Sequence, residues 1–530
     1  MTFGELQNLK GDVISPASYI EQKKAKTDLC VSLFSNNTSF YSLYNPLQDA
    51  ENFASQHEFS NAGFFIIGGM GNAYHIKSLM SKYPESFILV LEDTLNSYKT
   101  LLQQNDFSFL GNTINIRFAT IDTLKECIIT LYKPALHGNI LFKSIRSWFS
   151  FHQMQIDGIH ETVTNALKIV SSDYSVQCHF GKVWMRNILR NISFFEQSPS
   201  SFCLFCGCTF PVNKTAAVIA AGPSLDESIH ELKEHRDEYF IIATDTALEI
   251  LTAYSIAADA FVTIDGQNIS SRLFTNLSSD IQKPSLAVID VSAHPNALSY
   301  ADANNIPIVL CSTGHPLSAY FMNYYDAILP LKSGSGTVTI TAADFAVQCG
   351  FTSIVFYGAD FSCPNAKPYA KGTYLDSSYS SGSCRTNSLE QQFTSLLFRT
   401  DVLKNGLTYS NTVLSSYKES LLELVNNCSH QVSWYTSVIG NLPFPLHTSS
   451  KPSVDYSIII QRIKSIHTGH LNTYTQSAVT DDSQEFFVTL LPYYSWFLNF
   501  HKLSVSKSSL FLFKTLVKKQ FDNYTVLHES

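Results

Sequence analysis

The stretch TAAVIAAGPSLDESIHELKEH, Thr215 to His235, decides how this chain is read. Ala216 to Ala220 are small or apolar and read as a buried strand; Ala221-Gly222-Pro223-Ser224 interrupts it, and Leu225, Ile229 and Leu232 then recur at the spacing of an amphipathic helix. The interruption is therefore a strand-to-helix turn. Gly222 frees the backbone, Pro223 suits a first helical turn, and the Ser224 hydroxyl can cap the helix amides or meet a ligand. A helix start gathers unpaired N–H groups and partial positive charge where a phosphate can sit. An ordinary tight turn in a doubly wound sheet answers to the same residues.

Downstream, Tyr239 to Ala243 is a second strand ending in Thr244-Asp245-Thr246, and after the helix Ala247 to Tyr254 a third strand, Ala260 to Ile264, ends in Asp265-Gly266. Ligands of open α/β sheets bind along that carboxyl edge. Asp245 and Asp265 can accept hydrogen bonds from ribose or base donors, or merely cap the turns that follow them. Two more strands are expected at Ser285–Ile289 and Pro307–Cys311. Ser333-Gly334-Ser335-Gly336, followed by Thr337, then opens a helix from Val338 to Cys349, a second small-residue helix start aimed at the same edge. Ile354 to Tyr357 is a strand with Gly358-Ala359-Asp360-Phe361 at its end, and the serine-rich segment from there to Asn387, carrying Lys367, Tyr369, Lys371, Tyr374 and Arg385, reads as a mobile lid.

Upstream, the strand Gly63–Gly68, the turn Gly69-Met70-Gly71-Asn72, a helix from His75 to Met80 and the strand Phe87–Leu91, closed by Glu92-Asp93, have the spacing of a nucleotide-binding half. GGMGNA lacks the third glycine of the dinucleotide fingerprint, so a purely structural Rossmann-like unit competes with a working cofactor site. Residues 146–200 show helical periodicity with few breakers, and Tyr456 to Leu527 reads as all-helical and rich in Phe and Tyr. The expected fold is α/β and multidomain. It comprises a Rossmann-like N-terminal domain (1–145), a helical linker (146–210), a Rossmann-like central domain (211–400) and a helical C-terminal region (401–530).

A length of 530 residues with 45% hydrophobic content supports two or three cores. The net charge of −8 argues against a nucleic-acid backbone or an anionic membrane as the main partner. No apolar run is long enough to span a bilayer, and MTFGELQNLKGDV lacks the basic-then-apolar pattern of a signal, so a cytoplasmic protein is expected. The eleven cysteines are scattered through apolar contexts and read as reduced. Cys203, Cys206 and Cys208 alone have metal-like spacing; with no second CxxC or nearby HxxxH, no metal site is expected.

AAGPSLDESI (220–229), IATDTALEIL (242–251), VTIDGQ (262–267), SGSGTVTITAADFAVQCG (333–350) and GADFSCPNAKPYAKGT (358–373) resemble the motility-associated factor (Maf) glycosyltransferases of flagellated bacteria. YNPLQDAENFA and GGMGNAYHI look like that family's first domain, so the resemblance covers roughly residues 38 to 400. It implies an enzyme that transfers a nonulosonic acid, pseudaminic or legionaminic, from a CMP-activated donor to serines and threonines of flagellin. The donor would be a co-substrate, with no further cofactor.

The central unit is also similar in outline to bacterial CMP-sialic acid sialyltransferases. That likeness places Gly222, Pro223 and Ser224 near phosphate or cytidine, Thr244, Asp245 and Asp265 against nucleotide or sugar, and Ser333, Gly334, Ser335 and Thr337 at the sugar phosphate. It also makes Tyr369 the group that meets the leaving phosphate. Those enzymes carry a histidine base in the lid, and this chain has no histidine between His315 and His430. Asp360 is the substitute base, or else a carboxylate that holds the lid through backbone amides. Two other functions stay open: a pterin-type pyrophosphokinase using ATP and Mg²⁺, and a non-catalytic module that binds flagellin.

Overall fold

A computed structural model describes residues 1–8, 18–111, 113, 115–267, 283–322, 325, 327–334, 336–399, 401–427, 431–434 and 482–529. The chain divides into two compact units, one of Met1–Lys182 with Tyr456–Ser530 and one of Val183–Asp455. This differs from the four-part division expected from the sequence. The expected linker is mostly one helix, Gln153–Gln197, whose residues are shared between the units, and the C-terminal region is not a single body. Helix Thr412–Asn427 groups with the central unit, whereas helices Asp482–Thr489, Leu491–His501 and Lys507–Glu529 group with the N-terminal one. Chain order misleads here because a helix joins whichever core covers its apolar stripe. The part of the expected C-terminal helical run before Asp482 lies outside the described residues.

In the first unit a hairpin of β1 (Tyr19–Lys24) and β2 (Cys30–Phe34) accompanies a parallel sheet. That sheet is built from β3 (Phe64–Gly68), β4 (Phe87–Glu92), β5 (Ile116–Thr120) and β6 (Ile140–Ser144) in the order β5-β4-β3-β6. Every residue of β3 and β4 is buried, as a parallel strand covered on both faces requires.

The turn after β3 is filled by the protein itself. A Cβ on Gly69, which holds φ +95°, would lie 2.8 Å from carbons of both Phe40 and Trp148, and one on Gly71 would lie 2.6 Å from the Phe40 ring. These glycines admit two buried aromatic rings where a nucleotide phosphate would otherwise approach. Glu92, the acid that would read a ribose in a dinucleotide fold, is likewise consumed. It accepts from Met70 N (2.6 Å), Tyr19 OH (2.9 Å) and Trp148 Nε1 (3.0 Å), and burial, with Asp93 beside it, pushes its carboxyl up to about 7. The structural reading of GGMGNA holds.

The second unit carries β7 (Thr215–Ile219), β8 (Tyr239–Thr244), β9 (Ala260–Thr263), β10 (Leu286–Asp290), β11 (Ile308–Ser312), β12 (Leu329–Pro330) and β13 (Ser353–Tyr357). After these come β14 (Cys363–Pro364), β15 (Leu403–Asn405), β16 (Thr408–Ser410) and β17 (Gln431–Trp434). Its main sheet has the order β12-β11-β10-β9-β8-β7-β13-β17, with all pairs parallel. β14, β16 and β15 form a small antiparallel sheet. Strands β7 to β12 march outward in sequence, and then the chain returns to lay β13 on the free edge of β7. That reversal is a topological switch point, where loops leaving adjacent strands diverge and open a crevice. Helix Val338–Gln348, buried along most of its length, packs across β7, β8 and β9, and so directs its first turn at the same edge.

We predict that Gly69→Ala, which forces a methyl between Phe40 and Trp148 at a positive φ, lowers stability by roughly 2–4 kcal/mol. Denaturant unfolding should show the loss, and a change under about 0.5 kcal/mol would contradict the filled turn.

Candidate functional site

The turns that follow β7 and β13 approach each other as closely as backbones can. Gly222 N donates to Gly358 O (2.8 Å), and Ala220 N donates to Tyr357 O (2.8 Å). A Cβ on Gly222 would stand 2.4 Å from Gly358 O and 2.4 Å from Asp360 Oδ2, and one on Gly358, at φ +67°, would stand 2.3 Å from Ala220 O. Only glycine at both positions allows the two turns to cross here.

Above this crossing lies a cavity of about 460 Å³. Its floor is Ala220 to Gly222 after β7, Thr244 to Thr246 after β8 and Gly358 to Cys363 after β13. Thr337, Val338 and Thr339, the start of helix Val338–Gln348, form one wall; Pro368 and Tyr369 close another; Leu396, Leu397, Arg399, Asn411, Val413, Leu414 and Tyr417 complete it. The Thr337 side chain makes no cap bond to this helix start. Polar backbone and hydroxyl groups thus face an apolar and aromatic wall, the usual composition of a small-molecule site.

The two carboxylates on the cavity wall have distinct environments. Asp245 is buried; its Oδ2 accepts from Thr263 Oγ1 (2.7 Å) and its Oδ1 from Thr246 N (2.7 Å) and Thr246 Oγ1 (3.0 Å). Burial, reinforced by the negative charge of Asp265 and opposed by these hydrogen bonds, pushes its carboxyl up to about 6. Asp360 Oδ2 accepts from Ser224 N at 2.8 Å, so a carboxylate already covers the start of helix Leu225–Glu234. Of the two helix starts expected to share an anionic guest, this one is occupied by the protein's own charge; the other lines the cavity.

The segment after β13 is more structured than a plain loop. Phe361 holds φ +47°, an uncommon conformation for so large a side chain, and Ser410 Oγ donates to its carbonyl at 3.2 Å. β14 pairs with β16, Ala370 N donates to Ala221 O (2.9 Å), and Thr373 caps the helix Tyr374–Ser381. Tyr369 is half-buried, and burial, with Tyr379 and Cys363 nearby, pushes its phenol up to about 12.

Six of the residues singled out from the sequence line this cavity: Gly222, Thr244, Asp245, Thr337, Asp360 and Tyr369. Pro223, Ser224, Asp265, Ser333 and Gly334 are not among its lining residues, and Ser335 lies outside the described residues. Thr244 turns its hydroxyl to Ile219 O (3.1 Å), Asp265 Oδ1 accepts from Gln267 N (3.0 Å), and Ser333 O closes the turn to Gly336 N (2.9 Å) and Thr337 N (3.1 Å). Gly334 packs on helix Thr412–Asn427, where a Cβ would meet Ser420 Cβ at 2.9 Å.

The wall from Leu396 to Tyr417 was not legible as a site. Its one signal is Asn411, whose side chain caps the helix that carries Tyr417 by accepting from Leu414 N (2.8 Å). Among the described residues no three His, Cys, Asp or Glu side chains gather at metal-binding distance; Cys203 and Cys208 lie 3.9 Å apart, with Cys206 exposed. Among the same residues no helix is long and apolar enough to cross a membrane.

A carboxyl whose proton is held more tightly in the folded chain than in the unfolded one stabilises the fold below about pH 4 and loses that contribution as pH rises through about 6. Asp245→Asn removes this dependence. Relative to that variant, the wild-type chain should lose roughly 2 kcal/mol between pH 4 and 7 in parallel unfolding titrations. Curves that stay parallel across this range would contradict the environment assigned to Asp245.

Residues 186–366 match the family described as 6-hydroxymethylpterin diphosphokinase MptE-like, and that span contains β7 to β13. Among curated relatives, three uncharacterized proteins of Treponema pallidum (strain Nichols) are similar to it. One is 36% identical over 145 residues (27% of this chain, 66% of the relative), a second 40% over 139 residues (25% and 49%), and a third 26% over 255 residues (47% and 53%). The chain therefore spans between 49% and 66% of the length of these relatives. Among solved structures, the Maf glycosyltransferase from Magnetospirillum magneticum AMB-1 superposes with a TM-score of 0.56 at 11% identity, covering 98% of this chain and 94% of that one. The α/β architecture expected from the sequence is thus similar in fold to that of a Maf glycosyltransferase.

Proposed function

We propose that this chain is a glycosyltransferase of the Maf type, moving a pseudaminic- or legionaminic-type nonulosonic acid from a CMP-activated donor to serine or threonine of flagellin. The observation that carries this reading is the switch-point cavity, where the start of helix Val338–Gln348, Thr246 and Tyr369 line the same space as an apolar wall that includes Tyr417. Such a site suits a nucleotide with a single phosphate. The wall offers the base and ribose a surface, and the amides of Val338 and Thr339 meet the phosphate.

The chemistry needs little else. As the bond from the sugar's anomeric carbon to the phosphate oxygen breaks, preorganised amides and a phenol stabilise the charge gathering on that oxygen. Tyr369, whose phenol keeps its proton at neutral pH, is the donor on the lid side. Asp360 is held by Ser224 and lines the cavity, and in this reading it takes the proton of an acceptor hydroxyl that comes within about 3 Å.

The match of residues 186–366 to a diphosphokinase family favours one other reading, transfer of diphosphate from ATP to a pterin alcohol. That reaction asks for carboxylates turned toward a bound Mg²⁺. Here Asp245 sits beneath the donors of Thr263 and Thr246, and Asp360 is turned to Ser224, a donor set better suited to the first reading.

Calorimetry on the purified full chain should find CMP bound without Mg²⁺ and ATP not bound. Mg²⁺-dependent ATP binding with no response to CMP would replace this reading with the diphosphokinase one. Flagellin incubated with the chain and a CMP-linked nonulosonic acid should gain the mass of the sugar; CMP binding without that gain would leave a flagellin-binding module.

A further inference from the structure

Asp226 stands in the first turn of helix Leu225–Glu234, outside the cavity lining, yet both of its carboxylate oxygens reach the segment that carries Tyr369. Oδ2 pairs with the Lys367 ammonium, and Oδ1 accepts from Lys371 N at 2.8 Å. The two gripped residues flank Tyr369 at two positions on either side, and Ala370 N, between them, donates to Ala221 O at 2.9 Å. On the far side of the strap Asn365 N donates to Leu407 O (2.9 Å), and Gly372 N donates to Asp376 Oδ2 (2.9 Å).

One carboxylate thus holds the Lys367 side chain on one side and the Lys371 backbone on the other side of Tyr369, the one tyrosine of this segment among the described residues that line the cavity. Neither Lys367 nor Lys371 is needed there for core packing, since Lys367 is about one-third exposed and Lys371 is exposed.

We propose that Asp226 is a positioning residue that acts through Tyr369, holding the strap so that the phenol faces the leaving phosphate. This rests on the reading of the cavity as a nucleotide-sugar site. Displacing a reacting group by a fraction of its own size costs rate while leaving ground-state binding largely intact. Asp226→Ala should therefore act on turnover more than on affinity. Asp226→Asn keeps an acceptor for Lys371 N and should restore part of the loss, and Lys367→Met removes the ion pair alone.

Two measurements on the full-length chain test this. Hydroxyl-radical footprinting, read by mass spectrometry, should show Tyr369 oxidised several-fold faster in Asp226→Ala, with Asp226→Asn between it and wild type and with tyrosines of the sheet unchanged. An unchanged Tyr369 would overturn the proposal whatever the ligand proves to be. CMP release from CMP-pseudaminic acid in the presence of flagellin should fall roughly 10- to 100-fold in kcat for Asp226→Ala, with KM for the donor within about threefold of wild type.

In a Tyr369→Phe background the same Asp226→Ala change should add almost nothing. A full additional loss in that background would show that Asp226 acts elsewhere. If wild type releases no CMP at all, the donor reading fails, and footprinting alone decides the role of Asp226.

Discussion

The contact between Gly222 and Gly358 is the constraint on which the central unit depends. Two backbone turns leave adjacent parallel strands and cross with a 2.8 Å hydrogen bond, and no side chain larger than hydrogen fits at either position. From that crossing follow the location of the cavity, the placement of Asp360 beside Ser224, and the direction in which the strap bearing Tyr369 runs back over the edge of the sheet. The strand order supplies the reason for the crossing: β7 receives β8 on one edge and β13 on the other, so the chains that leave β7 and β13 must part just above their ends.

The chain uses a parallel sheet with a glycine-rich turn twice, with opposite outcomes. After β3 the glycines admit Phe40 and Trp148, and the acid at the end of β4 is spent on Tyr19, Met70 and the same tryptophan. After β7 the glycine admits another backbone, and the space above remains open and lined with polar groups. Glycine in a strand-to-helix turn reports that something comes close. Whether the visitor is a ring of the same protein, a neighbouring turn or a ligand is decided by residues far away in sequence.

This is also where reading the sequence succeeded and stopped. The strands from β7 to β11, together with β13, are short apolar runs ended by small or acidic residues, and their carboxyl edge was legible for that reason. Helix Val338–Gln348 was legible from its glycine-rich start and from Gly350 beyond its end. Less visible were β5 and β6, where polar residues such as Arg117 and Lys143 break the apolar pattern, and β12, which is two residues long.

The commitment of Asp360 to Ser224 is a contact across 136 residues that no local pattern encodes, and the wall from Leu396 to Tyr417 bears no motif. The serine-rich composition after Phe361 suggested mobility. The hydrogen bonds that tie the strap down come from Asp226, Ala221 and Leu407, none of which lies within it.

Whether the helix start beside the β7–β13 crossing receives the phosphate of a nucleotide is tested most directly by a crystal structure of the full chain with CMP. The phosphorus should lie within hydrogen-bonding reach of the backbone amides of Val338 and Thr339 and on the Tyr369 side of the cavity, with cytidine along the wall that includes Tyr417. CMP seated at the turn after β3, or on a surface away from the β7–β13 crossing, would contradict the claim.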